Sequence, residues 1–355
     1  MFSIEFLLTL LLAVAVGVGS FLFSMAVLSR FVCNIHDSFS KRALEVALHL
    51  CAVFVPALVV VVLALRGNRA FQWQDSEPFL SAAWFTVVSV SLATFIGYTL
   101  LDVLRILRGR GESPGVSVRS ESVPFQPARN PPRIVLSRWN RIHRLNRLQV
   151  DIQVPGLQPE WKGLKIGHLS DFHHGQVCSR DYLRHAIDKL MELEPDLLAI
   201  TGDFVNFSKY LDGCFEVLSG LSAPLGVYAV RGNHDYWVDP EEVGSRIERL
   251  GFTLLNERTI TIDRGGASFE ISGLDRPWSR VRGPLDFISK DPDRLRIVLC
   301  HLPDEFPALA TREPDLVLSG HTHGGQICFP FYGPVLVPSW HGRKYAAGFF
   351  RQGRS

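Results

Sequence analysis

Gly320-His321-Thr322-His323-Gly324-Gly325-Gln326 closely follows Leu316-Val317-Leu318, a short apolar run. Such a run reads as a buried strand, and a strand that ends in Gly-His-x-His carries two imidazoles to its carboxyl edge. The flanking glycines let a ligand come close to the backbone there. Paired histidines also occur on protein surfaces without any metal, so the segment by itself decides nothing. Four other places in the chain supply what it lacks.

Ser170-Asp171-Phe172-His173, Thr201-Gly202-Asp203, Arg231-Gly232-Asn233-His234-Asp235 and Cys300-His301 each stand at the end of an apolar run, over 164–169, 197–200, 227–230 and 297–299. Five runs ending in Asp, Asn or His predict parallel strands whose carboxyl ends meet in one crevice. Oxygen donors mixed with imidazole, with no cysteine among them, suit Mn, Fe, Zn or Mg rather than a soft metal.

Taken in order, Asp-x-His, Gly-Asp, Gly-Asn-His-Asp, a lone His and Gly-His-x-His resemble the motif blocks of the calcineurin-like metallophosphoesterase family, and none is degraded. The form Gly-His-Thr-His-Gly-Gly-Gln is similar to the family's membrane-associated branch, typified by transmembrane proteins with a metallophosphoesterase domain. The resemblance covers residues 148 to 348. It implies a four-layer αββα sandwich that hydrolyses phosphate esters or pyrophosphates with two divalent metal ions. Two such ions, roughly 3.5–4 Å apart, need a shared carboxylate. By resemblance that bridge is Asp203, with Asp171, His173 and His323 completing one metal and Asn233, His301 and His321 the other. His234 matches the family's non-ligating histidine, which stabilises the charged transition state or protonates the leaving oxygen, and Asp235 would orient it. In this branch the nearest substrate candidates are lipid-linked, as for the UDP-2,3-diacylglucosamine pyrophosphatases of lipid A synthesis. A general nucleotide phosphodiesterase and a non-catalytic membrane scaffold are the alternatives.

The apolar share is 47% over the chain of 355 residues, and the excess is concentrated in the N-terminal part. Residues 6–28 and 79–101 contain no charge, and residues 43–65 contain only Glu45 and His49. Each run exceeds the ~20 residues that a helix needs to cross a bilayer, so three spans are expected over 1–108. The first lacks the basic start of a cleaved signal peptide. Arg30, Lys41 and Arg42 follow the first span, and ten arginines between Arg105 and Arg147 follow the third. That bias places the N-terminus outside and everything beyond Leu107 in the cytoplasm, facing the inner membrane if the source is bacterial. Six cysteines without a CxxC spacing agree with a reducing compartment. A net charge of +2 and no nucleic-acid fold signature set nucleic-acid binding aside.

Residues 109–147 read as a basic Pro/Gly-rich linker. Within it Trp139, Ile142 and Leu145 alternate with Arg138, Arg141 and Arg144. Two readings fit: an interfacial segment with arginines on anionic headgroups, or topology signals whose apolar neighbours lie on the enzyme.

From residue 148 onward a metallophosphoesterase domain is expected. Val150, Ile152 and Val154 alternate as a half-buried strand. Ser179 is placed to cap a helix carrying Leu183, Ile187, Leu190 and Met191. Helices are also predicted over 214–221 and 241–250. Segments 252–256, 259–263 and 267–272 read as antiparallel strands, with a turn at Gly265-Gly266. His174 and His341 are read as structural or pocket-wall residues and Cys300 as an inert core thiol. Phe172, Tyr236 and Trp237 either line the cleft or pack. Members of this branch usually run a few tens of residues past a Tyr-Ala-Ala-Gly-like segment. Here Tyr345-Ala346-Ala347-Gly348 is followed by Phe349 to Ser355, which predicts missing C-terminal strands and an open sheet edge unless a partner or the membrane covers it.

Overall fold

The computed structural model describes residues 115–125, 144–175, 177–276, 278, 283–325, 327–329 and 333–353. The three expected spans and most of the linker lie outside them; among the described residues no helix is long and apolar enough to cross a membrane. Residues 324–346 belong to a different compact unit from 115–323 and 347–353.

The larger unit is built on two four-stranded sheets. The first runs β3 (Ile166–Leu169), β4 (Leu197–Thr201), β5 (Val227–Val230) and β6 (Thr253–Leu254), all parallel. The second runs β10 (Leu316–Leu318), β9 (Leu295–Cys300), β8 (Ala267–Leu274) and β7 (Arg258–Arg264), parallel except for the β7–β8 hairpin. The five site-bearing strands are therefore divided, three in one sheet and two in the other.

Strand alternation explains the layers, because successive side chains point to opposite faces. Leu197, Ala199 and Val230 join Ile271, Ile297 and Leu299 in the core between the sheets. Leu198, Ile200 and Ala229 turn outward to a helical layer. That layer is α1 (Arg180–Met191), α2 (Leu211–Leu218) and α4 (Pro240–Arg249), while α3 (Asn233–Val238) follows β5 directly. On the far face of the second sheet Val298, Cys300 and Leu274 meet Ile288 and Leu309. The cover there is thin: α5 (Phe306–Leu309) is a single turn flanked by 3-10 turns. The layer order is thus the expected αββα sandwich.

Local signals set the helix starts. Ser179 Oγ accepts from Tyr182 N at 3.2 Å, as the capping pattern predicts. Asp239 caps α4 by accepting from Glu241 N and Glu242 N at 3.1 and 3.0 Å, with Pro240 in the first turn. Both residues of the β7–β8 turn have positive φ, 62° at Gly265 and 84° at Gly266, the conformation that a tight hairpin needs.

Two expectations are corrected. Val116–Pro124, read as linker, is strand β1, paired antiparallel with β2 (Arg144–Ile152) from Val116↔Ile152 to Pro124↔Arg144. Composition hid it, since its partner lies beyond a nineteen-residue connection. The charges match across the ribbon: Arg119 meets Asp151 at 3.1 Å, and Arg147 meets Glu121 at 2.5 Å and Glu192 at 3.2 Å. Arg144 and Leu145 accordingly belong to strand β2, while the rest of the segment read as interfacial lies outside the described residues. The second correction is Thr253–Leu254, which joins the first sheet parallel to β5 instead of extending the antiparallel set.

An ion pair ties the carboxyl ends of the two sheets together. Arg231, just past β5, donates from Nε to Asp275 Oδ2, just past β8, at 2.9 Å; the side chains are 6% and 0% exposed. The Tyr236 hydroxyl donates to the other Asp275 oxygen at 3.1 Å. Asp275→Ala leaves a buried guanidinium unpaired and is expected to cost about 3–5 kcal/mol of unfolding free energy in urea titrations. The double replacement Arg231→Met with Asp275→Leu should recover part of that loss, because no uncompensated charge then remains buried.

The smaller unit contains β11 (Ile327–Phe329) and β12 (Gly333–Leu336), antiparallel with a bulge at Ile327/Cys328. In it His341 lies ring to ring with Tyr345 at 5.2 Å, a structural contact.

Candidate metal centre

Each site residue sits where a strand has just ended, and the turns are strained to hold it. Asp171, His173, Asp203, His321 and His323 all have positive φ, between 41° and 71°. For non-glycine residues that costs of order 1–3 kcal/mol each, and it persists only where surrounding contacts enforce it. The contacts are backbone ties between strand ends: Asp171 N to Gly202 O at 2.9 Å, His173 N to Asp203 O at 3.0 Å, Gly320 N to His301 O at 3.1 Å. Gly320 is required by proximity, since a Cβ there would lie 1.9 Å from Ser170 Oγ and 2.3 Å from Asp171 Oδ2. With that space kept open, His321 N donates to both Asp171 oxygens at 2.9 and 3.0 Å.

The side chains converge on Asp203. Its Oδ2 lies 3.4 Å from His173 Nε2 and 3.3 Å from His301 Nε2. Its Oδ1 accepts from His234 N at 2.9 Å. His173 Nε2 is 3.0 Å from His323 Nε2, which is 3.4 Å from Asp171 Oδ1. His301 Nε2 is 3.1 Å from Asn233 Oδ1. Donor atoms of Asp171, His173 and His323, of His173, Asp203 and His234, and of Asp203, His301 and His321 each gather within 4.8 Å. All seven residues expected as ligands are therefore brought together, and Asp203 stands at the junction.

Tautomers show why a cation belongs there. His301 Nδ1 is 2.6 Å from the Thr201 carbonyl oxygen, which can only accept, so that nitrogen carries the hydrogen. In the neutral ring Nε2 is then a bare lone pair facing two further acceptors, Asp203 Oδ2 and Asn233 Oδ1. His173 Nδ1 is likewise engaged by Asn206 Oδ1 at 2.6 Å, which turns its Nε2 lone pair toward His323 and Asp203. Lone pairs aimed at lone pairs are stable only around positive charge, and imidazole with carboxylate and amide oxygen suits divalent cations of the Mn, Fe or Zn type. The donor set fits two such ions.

Electrostatics report the same demand. Burial pushes the Asp203 carboxyl up, but the imidazoles of His301, His173 and His234 outweigh it and hold it at about 2. Burial lowers His301, yet the Asp203 and Asp171 carboxylates raise it to about 9. His234 is lowered, first by burial and then by the neighbouring imidazoles of His173, His301 and His323, against the pull of Asp203.

Asp235 requires a correction. It does not orient the His234 ring. Its Oδ2 accepts from Gly232 N at 2.7 Å and Asp203 N at 2.8 Å, and its Oδ1 from Phe204 N at 2.9 Å. The reason is α3: Asp235 is the third residue of that helix, so its side chain folds back onto the Gly232 amide at the helix start and meets there the amides of Asp203 and Phe204 that follow β4. Burial, with the charge of Asp203, pushes its carboxyl up to about 7, opposed by those three amides.

Other expectations resolve by packing. His174 is buried, with Nδ1 2.9 Å from Cys178 O. Cys300 is buried, and its thiol donates to Leu302 O at 3.3 Å; burial pushes the thiol well above its usual range. Phe172 packs edge-on against Phe204 in the core. Tyr236 is held by Asp275, whereas Trp237 stands exposed, its ring 4.4 Å from that of His234. Sequence reasoning missed Asn206 and a directional chain behind Asp171. In that chain His168 Nε2 meets Thr201 Oγ1 at 2.9 Å, Thr201 Oγ1 donates to Ser170 Oγ at 2.8 Å, and Ser170 Oγ donates to Asp171 Oδ2 at 2.5 Å. The only signal was the adjacency of Ser170 to Asp171.

The family model for calcineurin-like phosphoesterases matches residues 164–325, which contain every residue of this cluster. "Uncharacterized metallophosphoesterase YkuE" of Bacillus subtilis (strain 168) is 31% identical over 226 residues, covering 61% of this chain and 78% of its own length. The chain belongs to the calcineurin-like phosphoesterase family. Two further relatives mark the breadth of the likeness. "Phosphodiesterase YaeI" of Escherichia coli (strain K12) is 32% identical over 189 residues, 52% of this chain and 69% of that protein. "Transmembrane protein with metallophosphoesterase domain" of Bos taurus is 30% identical over 224 residues, 57% and 48% respectively. As a calcineurin-like phosphoesterase the chain is a metal-dependent hydrolase that acts on phosphate esters with divalent metals.

Proposed function

We propose that this phosphoesterase is anchored in a membrane by its three N-terminal apolar stretches and uses a dinuclear centre to hydrolyse a phosphodiester or pyrophosphate whose substituent is lipid-linked. The carrying observation is Asp203 Oδ2, placed 3.4 Å from His173 Nε2 on one side and 3.3 Å from His301 Nε2 on the other. In this reading Asp203 would be shared between two ions, Asp171, His173 and His323 would complete the first, and Asn233, His301 and His321 would complete the second. When bound, the ions neutralise phosphoryl charge and make water nucleophilic at neutral pH. The protein supplies the rest. Ser170 and His321 N fix both oxygens of Asp171, so the carboxylate presents one orientation. Thr201 O and Asn206 fix the tautomers of His301 and His173. His234, half-buried beside His173 at 4.6 Å ring to ring, would donate a hydrogen bond from its ring N–H to a phosphoryl or leaving oxygen. The catalytic part faces the cytoplasm, in keeping with the arginines that follow the third apolar stretch.

The finer substrate, a diacylated sugar nucleotide of the kind handled in lipid A synthesis, rests on resemblance and on the apolar stretches. A soluble nucleotide phosphodiester is the second reading, favoured by the relative named a phosphodiesterase. Full-length protein in detergent with Mn is expected to hydrolyse bis-p-nitrophenyl phosphate. It is further expected to release UMP from UDP-2,3-diacylglucosamine faster than from UDP-N-acetylglucosamine. Equal rates on those two would discard the lipid-linked part and leave the second reading.

A further inference from the structure

An aromatic ridge leaves the metal centre through His234. The ring of His234 is 4.6 Å from that of His173 and 4.4 Å from that of Trp237, and Trp237 is 6.4 Å from Trp278 at an interplanar angle of 33°. Tyr236 stands 6.2 Å from Trp278; the Arg231 guanidinium lies 4.8 Å from its ring centre and its hydroxyl is tied to Asp275. Tyr236, which borders Trp278, is thus held by the buried ion pair that joins the two sheets. The two indoles of the ridge are open to solvent: Trp237 is 60% exposed and Trp278 57%. The other described tryptophans behave differently, Trp161 being buried and Trp340 half-buried. Two solvent-facing indoles beside a reaction centre have the character of a binding surface.

We propose that Trp237 and Trp278 form a stacking shelf for a planar ring carried by the substrate's phosphoryl group, so that the enzyme takes nucleotidyl esters or pyrophosphates. An acyl chain is best held in an enclosed aliphatic groove, where its many torsions are fixed by walls. An open ridge of ring faces instead matches a flat, rigid group, which loses little freedom on stacking. The two indoles, tilted 33° to one another, continue outward from His234, whose ring also borders His173 of the centre. Because every base has a π-face, such a shelf accepts bases with little discrimination among them. No charged group is needed on the shelf, since the phosphates are held at the metal centre. The proposal rests on that centre binding phosphate, and it names the substituent that the centre receives.

Calorimetric titration of Mn-loaded, full-length protein with UMP and with ribose 5-phosphate tests it without requiring turnover. The two ligands share a phosphate and a sugar and differ in the ring. Wild type should bind UMP tighter by about tenfold or more, the scale of one base–aromatic stack. W237A and W278A should each bring the ratio of the two Kd values toward one, while W237F retains most of the preference. A wild-type ratio near one overturns the proposal, as does a preference that survives in the W237A/W278A double variant. An indole emission shift on anionic vesicles that excludes UMP would instead assign the ridge to the membrane surface. Failure of the metal-centre reading looks different, because then neither ligand's affinity depends on Mn.

Discussion

Asp203→Asn is expected to lower phosphodiester hydrolysis by about 10³-fold or more, a loss of roughly 4 kcal/mol of transition-state stabilisation, while the protein remains folded. The substitution is chosen because it changes charge and almost nothing else. Asp203 is buried, and its Oδ1 accepts from His234 N at 2.9 Å, a bond that the asparagine oxygen can still accept. What disappears is the negative charge at Oδ2, which faces His173 and His301 at 3.4 and 3.3 Å. With an amide in that position, two groups of imidazoles face each other across a neutral or donating nitrogen. Neither half of the cluster then has the anion that would let two cations sit close together. Metal content by mass spectrometry should fall below two per chain, and kcat/KM for bis-p-nitrophenyl phosphate should fall with it. The thermal unfolding midpoint without added metal should also fall, though not to the point of unfolding at assay temperature, because the buried anion that raises His301 to about 9 is gone. An Asn variant that keeps two metals and more than about a tenth of wild-type activity would show that Asp203 is not the bridge.

The motif blocks were legible because each follows its strand at once, so that chain order and spatial order coincide. Asp171, Asp203, Asn233, His301 and His321 could be placed at strand ends from the apolar runs alone. The division of those strands between two sheets was not legible, since a buried parallel strand reads the same in either sheet. β1 escaped because its partner lies across a connection that composition makes look like plain linker, and two-stranded pairing leaves little periodic trace in nine residues. Thr253–Leu254 was assigned to the wrong neighbours for a related reason: a two-residue strand carries no pattern of its own and takes its sheet from β5. Hydrogen-bond partners were the least legible. Asn206 on His173, the Thr201 carbonyl on His301 and the His168–Thr201–Ser170 chain depend on turn geometry, and the positive φ values that create it belong to residues that propensity would not place there.

Asp235→Ala is expected to be the most destabilising single change at the site, and its effect separates two roles for this carboxylate. Three buried amides converge on it, those of Gly232, Asp203 and Phe204, at 2.7 to 2.9 Å. Removing the acceptor leaves them without partners, at about 1–3 kcal/mol for each buried donor before any relaxation. A total of roughly 3–6 kcal/mol is a large part of what holds a domain folded, so the urea midpoint should drop sharply. Asp235→Asn should be milder, because its single oxygen can still serve the Gly232 and Asp203 amides while its NH₂ confronts only Phe204. Activity should follow stability in both variants. The bracing holds Asp203 at φ 59° beside Gly202 at φ 86°, and a bridging carboxylate displaced by about 1 Å can cost of order 10²-fold in rate. Were Asp235 instead a group that orients His234, the alanine variant would keep its urea midpoint and lose only kcat. Denaturation and kinetics on the same two preparations therefore decide whether this residue acts on the proton donor or on the backbone that carries the bridge.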